Sequence, residues 1–281
     1  MKTTIDLSEL QDVEAIFCDI DGTLISRKSI LSERTVQAVK SLDIPFFLVS
    51  GRNYKGMEDF YTRLGLNTFR LTVNANVILD DKKTYYRGPY ISGELLKDII
   101  NPLLKKYKDS ISVEGYDDRY WYCNTLDNEF IRYEVSVLKF EPDYFFRSAD
   151  EIQDKKLAKI LVIAPKDIAK EIVKVVSVVS SSIQVILNHE TYVEIYMNGT
   201  DKGTGVSKAI NLLSLDKDKC IGIGDSAVDV SLLQAVGIKA AIGNADKCVK
   251  DVSNLVLDDC DNDGVAKLIE QLMKNRKAKH E

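Results

Sequence analysis

The chain has 281 residues, of which 45% are hydrophobic and 29% are charged, and its formal net charge is −5. This length exceeds the usual size of one domain and predicts two, while the acidic balance argues against non-specific binding to nucleic acid. No segment approaches the roughly 20 apolar residues of a membrane-spanning helix, so we expect neither nucleic acid nor a membrane as a partner.

The five cysteines are widely spread along the chain, odd in number and without a C-x-x-C pair. Such spacing predicts neither a disulfide framework nor a zinc site. The first fourteen residues are mixed polar and acidic, so they show no apolar core of a signal peptide. We therefore expect a reducing compartment and a cytoplasmic protein.

The first predicted element is a buried strand at residues 15–18, followed at once by two carboxylates, Asp19 and Asp21. In open α/β sheets, ligands bind beyond the carboxyl ends of the strands, which makes this pair a candidate catalytic or metal site. An ordinary D-x-D-G turn is the simpler alternative. An EF-hand loop is disfavoured because the twelfth position counted from Asp19 is Ile30 instead of glutamate.

The elements that follow alternate between helix and strand: a helix at 32–42 with Ser32 as its N-cap, a strand at 44–49, a helix at 53–65 and a strand at 69–73. The strand at 44–49 ends in a hydroxyl, a glycine and a guanidinium, from Ser50, Gly51 and Arg52. A second polar strand end is therefore predicted beside the first.

After residues 80–83 the pattern changes to turn residues and tyrosines. An amphipathic helix is predicted at 92–107 and is expected to be interrupted by Pro102. The remaining elements of this region are a strand at 159–165, a helix at 167–180 and strands at 182–188 and 191–197. The whole region reads as an α+β insertion.

The alternation resumes with a helix that begins near Lys202 and with a buried strand at 220–224, which ends in Asp225 and, four residues later, Asp229. The elements after it are predicted at 226–236, 238–242, 245–251, 254–257 and 263–275. The predicted fold is α/β, with a Rossmann-like parallel-sheet core at 1–83 and 198–281 and the inserted α+β domain at 84–197.

With these four segments in order, the chain resembles phosphatases of the haloacid dehalogenase (HAD) superfamily, and most closely the Cof-type, or IIB, branch. The resemblance implies a HAD core whose inserted domain is a cap that closes on substrate and supplies specificity. It also implies a Mg²⁺-dependent phosphatase that acts on a small phosphorylated metabolite, such as a sugar phosphate, through an aspartyl-phosphate.

The resemblance assigns roles to individual residues. Asp19 matches the nucleophile and Asp21 the general acid and base. Asp225 matches the ligand that completes a magnesium site with the Asp19 carboxylate and the Asp21 backbone carbonyl, and Asp229 matches an acidic residue that supports those ligands. The positions that match catalytic or phosphate-binding residues are Ser50, Gly51, Arg52, Lys202 and Asn244.

Two positions depart from the family pattern. Val228 stands where the fourth motif usually has asparagine, and residues 74–76 read N-A-N where this branch commonly has N-G-A. Val228 removes a polar group near the predicted metal site, which leaves a catalytically weakened metabolite-binding protein as an alternative. A phosphomutase that uses the same aspartyl intermediate is a second alternative, and a receiver-like domain that keeps one phosphoryl group is a third.

Overall fold

A computed structural model of the chain describes residues 2–3, 7–188 and 190–280. The chain divides into two compact units. Unit 1 comprises Met1–Arg52, Met57–Tyr86 and Asp201–Glu281, and unit 2 comprises Asn53–Gly56 and Arg87–Thr200. Unit 2 differs from the predicted insertion by three residues at each end and by the short segment that follows Arg52. That unit 2 acts as a cap stays a prediction.

Helices and strands alternate through most of the described residues. The helices are α1 (Glu33–Lys40), α2 (Glu58–Leu64), α3 (Gly93–Tyr107), α4 (Glu129–Leu138), α5 (Lys166–Val176), α6 (Lys202–Leu213), α7 (Val230–Gln234), α8 (Lys247–Val252) and α9 (Gly264–His280). The strands are β1 (Lys2–Thr3), β2 (Ala15–Cys18), β3 (Phe46–Leu48), β4 (Arg70–Thr72), β5 (Val77–Leu79), β6 (Thr84–Arg87), β7 (Ser112–Tyr116), β8 (Trp121–Cys123), β9 (Tyr144–Phe145), β10 (Lys159–Ile163), β11 (Ile183–Asn188), β12 (Tyr192–Met197), β13 (Cys220–Gly224), β14 (Ile238–Ala241) and β15 (Leu255–Val256). Among the described helices, none has both the length and the apolar character that crossing a membrane requires.

Unit 1 is built on a six-stranded sheet with the order β1-β15-β14-β13-β2-β3. The five strands from β15 to β3 are parallel, and only β1 runs antiparallel. Parallel strands are covered on both faces, which is why β2 and β13 are continuous apolar runs that lie fully buried. The predicted α/β fold with a parallel sheet is confirmed.

The core of unit 1 brings the ends of β2, β3 and β13 to one edge of the sheet. Cys18 pairs with Ile223 on one side and with Leu48 on the other, so the three strands end in register. The rings of Phe17 and Phe47 stack across the β2–β3 pair, with their centroids 4.8 Å apart. The residues that follow these three strands are therefore close neighbours.

The structure confirms the predicted start of the first helix and corrects one prediction about α3. The Ser32 side chain accepts a hydrogen bond from the Thr35 amide, so it caps α1 as expected. Helix α3 runs without interruption from Gly93 to Tyr107, although Pro102 lies inside it. Leu96, Ile99, Ile100 and Leu103 are buried along one face, and this apolar burial offsets the hydrogen bond that proline removes.

Unit 2 contains a second six-stranded sheet with the order β11-β12-β10-β7-β8-β9. It is antiparallel except for the parallel pair β8–β9. One face packs on α3 and α5 through side chains such as Val113, Ile160 and Val193. The strands β10, β11 and β12 and helix α5 lie close to their predicted positions, whereas no element was predicted at β7, β8, α4 or β9.

Candidate active site

The two carboxylates after β2 lie in different surroundings. Asp19 is buried, and its backbone N–H donates to the carbonyl of Ile223 at 3.0 Å, which ties the end of β2 to β13. The Asp21 side chain is 53% exposed. One residue of backbone between them is enough to turn one carboxylate into the protein and leave the other at its surface.

Gly22 makes the turn after Asp21 possible. Its φ of +80° lies in the left-handed region, where glycine carries no steric penalty. A Cβ at this position would also lie 2.5 Å from Asp225 Oδ2, closer than any real contact. The glycine therefore lets the loop after β2 approach the carboxylate that follows β13.

Lys202 enters the same region from the first turn of α6. The Asp201 side chain caps this helix by accepting a hydrogen bond from the Thr204 amide at 2.8 Å. At Gly205 a Cβ would lie 2.2 Å from the carbonyl oxygen of Ala75. The cap and this close approach together set the position from which the Lys202 side chain extends.

The ammonium of Lys202 lies between two carboxylates. Its Nζ donates to Asp19 Oδ1 at 2.5 Å and to Asp229 Oδ1 at 2.6 Å, and all three side chains are buried. These are charge-assisted hydrogen bonds in a region with little water, where such bonds are strongest. The structure thus brings together residues that lie 183 positions apart in the chain.

Asp225 and Asp229 complete an acidic cluster with Asp19. The three side chains each offer an oxygen, and these oxygens lie within 4.8 Å of one another. Thr23 Oγ1 donates to Asp225 Oδ1 at 3.2 Å, and Asp229 Oδ2 accepts from the backbone N–H groups of Asp225 and Ser226 at 3.1 and 3.0 Å. The loop after β13 therefore fixes both of its carboxylates.

The cluster holds three carboxylates against one ammonium, and burial and this excess of negative charge both act on the pKa values of Asp19, Asp225 and Lys202. Burial raises the pKa of Asp225 to about 6, and Asp229 acts in the same direction. Burial and the Asp229 carboxylate also raise the pKa of Asp19 above its ordinary value, against the opposing effect of Lys202. Burial alone would lower the pKa of Lys202, but Asp19 and Asp229 outweigh it and raise that pKa.

This donor set fits a hard divalent cation. Mg²⁺ prefers oxygen ligands and is held by a few carboxylates together with water and phosphate oxygens. Asp19, Asp225 and Asp229 supply anionic oxygens, and their unbalanced charge is what such an ion would neutralise. In the described residues no other group of three or more acidic, histidine or cysteine side chains converges in this way.

The loop after β3 is held by an unusual piece of backbone. Val73, Asn74 and Ala75 have φ values of 52°, 57° and 59°, a left-handed run that is rare without glycine. The Asn74 amide donates to the Ser50 carbonyl at 2.8 Å, and the Val73 amide donates to the Arg52 carbonyl at 2.9 Å. The sequence marks 74–76 only as a departure from the family pattern. The one available signal for the left-handed backbone was Asn74, because asparagine tolerates that conformation.

Ser50 and Arg52 lie on this loop, beside the acids of β2. Ser50 is 1% exposed, and its Oγ accepts from the Arg52 amide at 3.2 Å. The Arg52 guanidinium binds Asp21 through two hydrogen bonds, Nε to Oδ2 at 2.9 Å and Nη2 to Oδ1 at 2.7 Å. The Asp21 carboxylate is thus paired with Arg52 and is not one of the three carboxylates that form the acidic cluster. That Ser50, Gly51 and Arg52 bind phosphate stays a prediction.

Asn244 lies in the same part of unit 1, between two backbone groups. Its Nδ2 donates to the Gly22 carbonyl at 2.8 Å, and its Oδ1 accepts from the Cys260 amide at 2.9 Å. The structure therefore has this side chain holding the turn that carries Asp19 and Asp21, a contact that sequence reasoning missed. The predicted phosphate contact of Asn244 is untested.

Comparison with known proteins places the chain in a family. The family model that describes haloacid dehalogenase-like hydrolases matches residues 16–269 of the sequence. A putative phosphatase of Haemophilus influenzae is 26% identical over 262 residues, which are 92% of this chain and 97% of that protein.

Solved structures share the fold. A haloacid dehalogenase-like hydrolase from Bacteroides thetaiotaomicron superposes with a TM-score of 0.82 at 22% identity, over 92% of this chain and 99% of that one. A HAD subclass IIB sugar phosphatase superposes with a TM-score of 0.75 at 19% identity, over 92% and 99% of the two chains. The resemblance inferred from the four segments is confirmed, and the chain belongs to the haloacid dehalogenase-like hydrolases.

Proposed function

We propose that the chain is a Mg²⁺-dependent phosphatase that hydrolyses a small phosphorylated metabolite through a phosphoryl group carried on Asp19. The observation that carries the proposal is the cluster of Asp19, Asp225 and Asp229, in which the buried Lys202 ammonium binds Asp19 and Asp229. A phosphate monoester is an anion, and a carboxylate nucleophile repels it unless nearby positive charge compensates. Lys202 supplies one such charge, and the carboxylate oxygens are suited to hold a metal that supplies two more.

In the first displacement the Asp19 carboxylate attacks phosphorus, and a bond forms between its oxygen and phosphorus. The bond from phosphorus to the ester oxygen breaks, and the electron pair stays on that oxygen. The Asp21 carboxyl group donates its proton there, so that an alcohol leaves. General acid catalysis of this kind is worth about 10²–10⁴-fold in rate.

In the second displacement a water molecule attacks the phosphorus, and Asp21 accepts the water's proton. The bond between phosphorus and Asp19 breaks, which restores the carboxylate and releases inorganic phosphate. Ser50 and Lys202 bind the oxygens of the transferring group. A bound Mg²⁺, held by Asp19, Asp225 and the backbone carbonyl of Asp21 with support from Asp229, would neutralise charge on those oxygens.

We propose a sugar phosphate or a similar small phosphorylated metabolite as the substrate. The HAD subclass IIB sugar phosphatase that shares the fold supports this class, and the putative phosphatase of Haemophilus influenzae supports phosphatase activity. Unit 2, whose sequence bounds nearly match those of the predicted cap at 84–197, would supply the specificity by closing over the bound substrate and excluding water. A reducing, cytoplasmic location is proposed on the five cysteines, which are all free thiols.

A panel of sugar phosphates and other phosphorylated metabolites tests the proposal. With Mg²⁺ the wild type should release inorganic phosphate over many turnovers, and chelation should abolish the release. Asp19→Asn should abolish turnover and keep the fold, whereas Asp261→Asn, a change on a surface ion pair with Arg27, should leave it unchanged. Tight metabolite binding without turnover would favour the weakened binding protein, and transfer of the phosphate within the sugar would favour the mutase.

A further inference from the structure

Arg52 and Asp21 form a two-pronged contact at the edge of the cluster. Both hydrogen bonds run from one edge of a planar guanidinium to the two oxygens of one carboxylate, at 2.9 and 2.7 Å. Such a fork fixes the plane and the direction of a carboxylate, which a single bond does not. The two residues lie 31 positions apart in the chain, on loops that follow two neighbouring strands.

Arg52 is itself firmly placed. Its amide donates to Ser50 Oγ at 3.2 Å, its carbonyl accepts from the Val73 amide at 2.9 Å, and its guanidinium lies over the Phe60 ring, 5.2 Å from the centroid. The Arg52 side chain is 19% exposed, compared with 53% for Asp21. The better-buried partner therefore holds the more exposed one.

Stability does not explain this contact. An ion pair with one half-exposed partner adds little to the free energy of unfolding. Within the described residues, the hydrogen bonds to the Asp21 carboxylate come from Arg52, and this carboxylate lies outside the group formed by Asp19, Asp225 and Asp229. A carboxylate that must meet a leaving oxygen needs a defined direction, and an exposed aspartate that is free to rotate lacks one.

We propose that Arg52 is the positioning residue of Asp21: it directs the Asp21 carboxylate, and binding the phosphate of the substrate is not its main role. This inference rests on the proposed function, because it presumes that Asp21 moves a proton. Loss of the fork should then impair the step in which the leaving oxygen needs a proton and should spare the binding of substrate. Lysine should not restore the function, because an ammonium keeps the charge but lacks the planar fork.

Two aryl phosphates of nearly the same shape separate the possibilities. Nitrophenolate leaves p-nitrophenyl phosphate with little help from a proton, whereas the more basic phenolate of phenyl phosphate depends on one. For Arg52→Gln we expect kcat/KM with phenyl phosphate to fall by about tenfold or more relative to kcat/KM with p-nitrophenyl phosphate, because kcat/KM reports the first displacement alone, in which the leaving oxygen needs a proton. Arg52→Lys should show the same selective loss.

A double-variant cycle completes the test. Asp21→Asn should show the selective loss in kcat/KM as well, and adding Arg52→Gln to it should cause little further change, because both residues act through the same carboxylate. Arg34→Gln, which breaks a similar two-pronged contact to Glu270 between α1 and α9, is the matched control and should keep wild-type kinetics. Circular dichroism melts show that each variant is folded.

The inference would be overturned if Arg52→Gln raised KM equally for both substrates, left kcat unchanged and added its effect to that of Asp21→Asn. Rescue by Arg52→Lys would accompany that result and would assign Arg52 to the phosphate. A wild type that releases no phosphate from either ester, or an Asp21→Asn variant without a selective loss, would overturn the proposed function itself. The two failures are therefore distinguishable.

Discussion

Replacing Lys202 with methionine should destabilise the chain far more than the loss of an ordinary ion pair. Methionine has nearly the same length, so the change removes the charge and the two hydrogen bonds to Asp19 and Asp229 with little loss of packing. Two buried carboxylates and the partly buried Asp225 would then face one another without a compensating cation. Removing one partner of a buried ion pair typically costs about 3–5 kcal/mol.

Urea unfolding at pH 7 with EDTA, followed by circular dichroism, measures this loss as the difference in the free energy of unfolding. Lys247→Met is the matched control, because the Lys247 side chain is 86% exposed and its ion pair with Asp251 lies on the surface of α8. The control should lose at most about 1 kcal/mol. Mg²⁺ should restore part of the stability of Lys202→Met, because an ion that binds the folded state alone stabilises it. A loss for Lys202→Met no larger than the loss for the control would refute the electrostatic reasoning.

Three further predictions concern other parts of the chain. Gly205→Ala should lower the free energy of unfolding by several kcal/mol and reduce turnover, because its Cβ would lie 2.2 Å from the Ala75 carbonyl oxygen. Thermal melts measure the stability and phosphate release measures the turnover, and an unchanged melting temperature would contradict this close approach of α6 to Ala75. Asn244→Ala should weaken Mg²⁺ binding by about 10–100-fold in titration calorimetry, because it releases the Gly22 carbonyl and the turn that carries the acids, and unchanged affinity would show that the turn needs no such support. Burial raises the pKa of Glu114 in β7 to about 8 from an ordinary value of 4.5, so the folded state holds a proton that the unfolded state releases. The free energy of unfolding should therefore fall as the pH rises from about 4.5 to 8, by up to about 1.4 kcal/mol per pH unit. Glu114→Gln should flatten this slope in urea titrations at several pH values, and an equal slope in both proteins would refute the prediction.

The core of the fold can be predicted from the sequence because its strands are continuous apolar runs with acids at their ends. The strand at β2, the helix that starts after Ser32 and the strand at β13 all lie where periodicity and capping predict them. Such signals are local, since each element carries its own apolar run and its own boundary residues. The convergence of Asp19, Lys202 and Asp225 required the family resemblance, because nothing local joins positions so far apart.

The elements that were missed lack local signals. Strand β7 contains a fully buried glutamate and a glycine, both of which disfavour a strand prediction. Glu114 is tolerated because Tyr116 and Trp121 donate hydrogen bonds to its Oε2, and those partners become visible only in the folded sheet. The Arg52–Asp21 fork is hidden for the same reason, because it joins side chains on two different loops.

The central claim is that Asp19 carries the phosphoryl group, and acid quenching during turnover tests it most directly. The wild type is mixed with Mg²⁺ and a sugar phosphate that it hydrolyses, and the mixture is denatured in acid within one turnover. The protein is then digested and analysed by mass spectrometry. We predict a phosphoryl group on the carboxylate of Asp19, and none on the corresponding peptide of Asp19→Asn. A phosphoryl group on another residue, or steady turnover that persists in Asp19→Asn, would contradict the account.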